Sequence, residues 1–139
     1  MTGTPPAGPG ELDLDEIVRL ICLADVPAFV GQSGGGTATI YAGHPYIDEH
    51  GDERMTGCAG PGWFLPNPQT GRPWAYGRGS LADFYIGPES DDPVALSAEE
   101  IGITTEAEAA AVIVAQAIRR RPLTLAEARD ARDAATGLR

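Results

Sequence analysis

The stretch AFVGQSGGGTATIYAGHPYIDEHGDERMTGC, residues 28–58, decides the fold. Aromatic and β-branched side chains suit a pleated, half-buried surface, and glycine supplies the turns between such segments. Short strands are expected at 28–31 and 37–42, joined by the glycine-rich turn at 33–36. Strands at 46–48 and 54–58 can pair across the charged turn Glu49-His50-Gly51-Asp52. Further strands are expected at 63–65, 74–76 and 81–86, with a turn through Asn67-Pro68-Gln69-Thr70-Gly71. All nine aromatic residues lie between Phe29 and Tyr85, and 13 of the 18 glycines between Gly31 and Gly87. The strand chemistry is therefore confined to the middle of the chain.

Both flanks read as helix. Asp13 followed by Glu16 resembles a capping box, and Leu14, Ile17, Val18 and Ile21 recur at i, i+3, i+4 and i+7. Pro27 bars continuation, so the first helix spans about residues 13–24. Downstream, Thr105 with Glu108 forms a capping box ahead of residues 109–118, which are apolar almost all round. Such a helix suits a buried spine against a sheet. Pro122 stops it. Thr124 with Glu127 opens a last helix to about residue 135, with a thin apolar face of Leu125, Ala128 and Ala135. Strands grouped together, not alternating with helices, argue for an antiparallel sheet. The expectation is a single α+β domain over residues 11–139: an N-terminal helix, a central antiparallel sheet of short strands and two C-terminal helices. Residues 1–10, with three prolines and three glycines, read as a flexible tail.

Twenty acids face ten bases, a formal net charge of -10, and every basic residue is arginine. The absence of lysine, with abundant Ala, Gly, Pro and Arg, is what GC-rich codons produce. An acidic surface repels phosphates, so direct nucleic-acid binding is disfavoured. No apolar run approaches the roughly 18–20 residues of a membrane span, and the first sixteen residues lack the regions of a secretory signal. A cytoplasmic location is the expectation, and there Cys22 and Cys58 suit free thiols better than a disulfide.

Several stretches invite a chemical reading. His44, Asp48 and His50 lie within a short acidic segment and offer ligand types that zinc accepts, but at no established zinc spacing. A polar hairpin tip accounts for the same residues. Cys58, with His44 or His50 as a base, would form a nucleophile pair only if the fold brought them together. Gly31-Gln32-Ser33-Gly34-Gly35 matches a nucleophile elbow literally, yet residues 36–41 read as strand where that motif needs a helix. The same glycines lack the lysine of a phosphate loop. The arginines at 119–121 fit the negative end of a helix dipole. Trp63, Phe64, Trp74 and Tyr76, in a long Gly/Pro-punctuated segment, are residue types that anchor protein interfaces.

The leading expectation is a non-enzymatic protein-binding or accessory module of a cytoplasmic assembly, contacting its partner around residues 60–80, with no cofactor and no metal. One alternative is a small metal-assisted hydrolase using His44, Asp48, His50 and Cys58. Another is an acidic mimic of nucleic acid that occupies a DNA-binding protein. Ten of the twenty acids lie from Glu89 onward, with six arginines interspersed.

Overall fold

The computed structural model describes residues 11–33, 37–61, 79–80, 84–89, 95–119 and 121–137. A short strand β1 (Glu11–Leu12) leads into helix α1 (Leu14–Leu23). The sheet strands β2 (Ala28–Ser33), β3 (Thr37–Ile47) and β4 (Glu53–Pro61) come next. After them stand β5 (Gly79–Ser80), β6 (Phe84–Gly87) and β7 (Leu96–Ser97). Three helices close the chain: α2 (Ala98–Ile101), α3 (Glu106–Ile118) and α4 (Leu125–Gly137). The main sheet is antiparallel, in the order β2-β3-β4-β6-β7, and β1 pairs with β5 apart from it. This is the α+β arrangement expected, with one more short helix, α2, and three small strands, β1, β5 and β7, added.

The hairpin β3–β4 forms as the charged turn implied, with Ile47 opposite Glu53. Its strands are longer than the short segments expected. β3 runs for 11 residues because a bulge absorbs one extra residue between Ala42 and Pro45. Gly43 takes the positive φ of 93° that the bulge needs. The expected strands at 63–65 and 74–76 lie outside the described residues, as does the tail at 1–10.

One row of side chains, Val30, Ile40, Ala59, Ile86 and Leu96, crosses all five strands in register. Its central members join the core with Ile17 and Ile21 of α1 and Val112 and Ile113 of α3. Each fully buried isoleucine contributes about 1.5–3 kcal/mol relative to exposure. α3 is the spine: it packs on the sheet beneath and has α1 and α4 beside it.

The capping signals hold in full at α3 and α4 and in their forward half at α1. The Asp13 carboxylate accepts from the backbone N–H groups of Asp15 and Glu16. Reciprocal boxes join Ser97 with Glu100, Thr105 with Glu108 and Thr124 with Glu127. The thin face of α4 is supplemented by polar clamps. Arg129 donates to the Glu100 carbonyl and Arg132 to the Ile101 carbonyl, so α4 caps the end of α2. The arginines after α3 also make ion pairs, and Arg119 is the C-cap of that helix. The last turn of α3 carries no basic residue, and Arg119 and Arg121 both bind Glu127. Arg120 lies outside the described residues.

Candidate functional site

Asp48 organises the β3–β4 turn. Its Oδ1 accepts from the His50 and Asp52 amides at 2.8 and 2.9 Å, and its Oδ2 accepts from Arg54 Nε at 2.9 Å. The Arg54 guanidinium, followed by the Asp52 amide, holds this carboxyl down at about 2. Both oxygens are thus occupied in building the turn. His50 points to solvent beside Glu49, with its imidazole 69% exposed. His44 sits in the bulge region of β3, three residues and roughly 10 Å of extended strand before that strand ends at Ile47. Among the described residues no group of three His, Cys, Asp or Glu side chains is arranged to hold a metal.

Cys58 lies in mid-sheet. It pairs in register with Tyr41, which pairs with Phe29, and the Phe29 and Tyr41 rings stack at 5.4 Å. The Cys58 side chain is fully buried. Burial first, and the Glu89 carboxylate second, push its thiol far above the ordinary thiol range. A thiol held neutral in this way is a poor nucleophile. The structure therefore distributes His44, His50 and Cys58 among a strand bulge, a turn tip and a buried row. Trp63, Phe64, Trp74 and Tyr76 lie outside the described residues.

The concave features are elsewhere. The first is an apolar groove of about 450 Å³ along the outer face of α3, between α1 and α4. Ala107, Ala110, Ala111, Val114 and Ala115 floor it, Leu20 stands on the α1 bank, and Ala131, Ala134 and Ala135 form the α4 bank. At about 1.5 Å per residue, the floor from Ala107 to Ile118 is about 17 Å long. Ile118, 73% exposed, lines its end, and Leu23, 68% exposed, directly precedes the lining residue Ala24.

The second is a cavity of about 430 Å³ where α1, the β3 bulge and the end of α3 meet. Asp25, Val26 and Pro27 form one wall, Gly43, His44, Pro45 and Tyr46 another, and Thr56, Ala117 and Ile118 close it. Ala24 and Ile118 border both concavities, which therefore adjoin. Desolvation, with the Asp48 charge second, raises the Tyr46 phenol above its usual value.

Of the described candidate site residues named from the sequence, His44 alone borders one of these two concavities. Asp25, Leu23 and Ile118 were missed. Leu23 carried a signal: at about 100° per residue it falls opposite Leu14, off the buried face of its helix. An exposed leucine there has no structural partner to explain it.

Comparison with family models, curated proteins and solved structures finds no match to this chain.

Proposed function

We propose that this protein is a non-enzymatic module of a cytoplasmic assembly, and that it binds another protein by seating an apolar helical segment in the groove along α3. The observation that carries this reading is the groove itself. Monomeric surfaces rarely leave a continuous apolar concavity rimmed by large exposed residues unless something docks there. Alanine along the floor lets an incoming helix approach closely, and its length admits about three helical turns, enough for anchors at i, i+4 and i+7. The net charge of -10 favours a partner segment that carries positive charge on its outer face. No helix of the described residues is long and apolar enough to cross a membrane.

The two alternatives have less support. A hydrolase needs an acid, base or nucleophile converging on one point, whereas Asp48 is spent on its turn and Cys58 is held as a neutral thiol. A nucleic-acid mimic needs a free row of carboxylates. Glu100, Glu108 and Glu127 serve as helix caps, and Glu106 accepts from the Asp13 amide.

The test is selection of a phage-displayed library of helical peptides on the folded protein, read against Ala111→Glu. Glutamate is a good helix former and Ala111 is half-exposed, so the variant keeps its helix while placing a charge in the groove. Enriched peptides with apolar residues at i, i+4 and i+7 that lose binding to Ala111→Glu are the expected result. Failure to enrich, or equal binding to the variant, overturns the reading. The tandem variant Trp63→Ala/Trp74→Ala, assayed on the same peptides, measures whether the segment around residues 60–80 adds to the surface.

A further inference from the structure

The cavity beside the groove has an electrostatic character of its own. Two helices end at it: Ala24 is the C-cap of α1, and Ala117 and Ile118 are the last residues of α3. A helix C-terminus carries roughly half a negative charge, and basic side chains in the last turn commonly offset it. Neither helix has one. Asp25 then adds a carboxylate to the same wall.

Asp25 also holds an unusual backbone. The Asp25 amide donates to the Cys22 carbonyl and the Val26 amide to the Ile21 carbonyl, the pattern that closes a helix through a left-handed residue. Asp25 has φ of 64°, the only positive φ outside glycine among the described residues. Glycine fills this position without strain, whereas a residue with a Cβ costs about 1 kcal/mol or more. Among the described residues, the cations nearest in sequence have carboxylate partners: Arg19 binds Glu16, and Arg119, the C-cap of α3, binds Glu127 together with Arg121. Among the described residues, the one titratable base on the cavity wall is His44.

We propose that this cavity binds a monovalent organic cation, an ammonium or guanidinium on a short aliphatic stem, with the charged head at Asp25 and the two helix ends and the stem against Val26, Pro27 and Ile118. The volume is within the range of small-ligand sites and exceeds that of an arginine side chain. Apolar walls beside the negative end select a cation with a greasy stem over a hydrated metal ion. The site goes beyond the groove, although their shared border at Ala24 and Ile118 lets one partner segment reach both. The same cationic group can come from a partner's arginine or lysine or from a free amine.

The test is an amide-resolved NMR titration of the full chain at about pH 8 with n-butylguanidinium, and with the neutral isostere n-butylurea as control. Saturable shifts at Asp25, Gly43 and Ile118 with the cation alone support the proposal. Asp25→Asn, which tolerates the left-handed backbone and so folds, is expected to weaken binding about fivefold. Equal shifts with butylurea, or none with the cation, overturn it, as does unchanged affinity in Asp25→Asn. An amidated, acetylated arginine tripeptide binding more tightly than butylguanidinium assigns the cation to a partner chain, and the reverse order assigns it to a free amine. Ala111→Glu, which blocks the groove, is expected to leave the butylguanidinium titration intact, so failure of the groove reading and failure of this one are separable.

Discussion

The backbone N–H of Asp13 donates to the carboxylate of Glu106 at 3.0 Å, across 93 residues of chain. In a reciprocal capping box the residue at the third helical position would accept this bond, but Glu16 turns outward to Arg19 instead. The first residue of α3 takes over the role and pins the starts of α1 and α3 together. Glu106→Ala is expected to lower stability by about 1 kcal/mol, seen as a lower urea midpoint at unchanged slope. Glu16→Ala, which removes only an exposed ion pair, is expected to change the midpoint far less.

Gln116 is the polar group on which the end of α3 depends. It is 1% exposed, and its amide donates to the Thr56 and Arg121 carbonyls and accepts from the Leu123 amide. One side chain therefore satisfies three backbone groups from β4 and the α3–α4 connection. Gln116→Met keeps the volume and removes every bond. A loss of about 2–4 kcal/mol is expected, with faster hydrogen exchange at the Leu123 amide. An unchanged midpoint would mean that water replaces the amide.

The helices were legible because their signals are local. Asp13, Thr105 and Thr124 each announce a helix within four residues, and Thr105 and Thr124 make both bonds their spacing implies, whereas Asp13 makes only the forward half. The β3–β4 hairpin was legible for the same reason, since Glu49-His50-Gly51-Asp52 separates two strand-forming runs. The continuity of β3 was not legible. Gly43 and Pro45 read as interruptions, and only the opposing strand shows that a bulge accommodates both. Ser97 and Glu100 carried the same box as the longer helices, but four residues give no periodicity to read. Gln116 was hidden in an apolar run. The groove and the cavity were beyond sequence reasoning because each depends on how separate helices lie against one another. Asp25 becomes notable only once its φ and its neighbours are known.

Three glycines give a graded series. A Cβ at Gly43 would collide with the Thr56 hydroxyl, which itself donates to the Ala117 carbonyl, and its φ is also positive. A Cβ at Gly57 would meet Ala117 at 3.1 Å without a backbone penalty. At Gly51 the φ is 83° but nothing lies within 4 Å. Gly51→Ala is expected to cost about 1 kcal/mol from strain alone, and Gly43→Ala clearly more, since it adds a clash and breaks the Thr56 bond. Thermal unfolding of the two variants gives the ranking. A smaller loss for Gly43→Ala would show that the bulge can re-form elsewhere.

Acid stability depends on Asp48. Its carboxyl is held at about 2 against an ordinary value of 3.8, so the folded state releases this proton more readily than the unfolded chain. The contribution is complete above about pH 4 and is lost as pH falls toward 2. Glu127 is lowered in the same direction, by Arg121 first and the Thr124 backbone next. Urea midpoints at about pH 6 and about pH 3 are expected to converge in Arg54→Gln relative to the parent, because the unpaired Asp48 no longer favours its ionised form. Both carboxylates are at the surface, so added salt should reduce the same difference. A parent midpoint independent of pH across this window would contradict the Arg54 assignment.

The two thiols should separate cleanly in a labelling experiment. Cys22 is exposed on α1, whereas Cys58 is fully buried in the sheet. Alkylation proceeds through the thiolate, and burial with the nearby Glu89 charge holds the Cys58 thiol neutral far beyond neutral pH. Native protein is therefore expected to take up one equivalent of iodoacetamide, at Cys22, and a second only on denaturation. Cys22→Ser should abolish native labelling and leave stability nearly unchanged, while Cys58→Ser should be silent in native labelling but cost about 1–3 kcal/mol by burying a hydroxyl. Rapid native modification at Cys58 would show that its row opens to solvent, and it would return that thiol to the set of candidate nucleophiles.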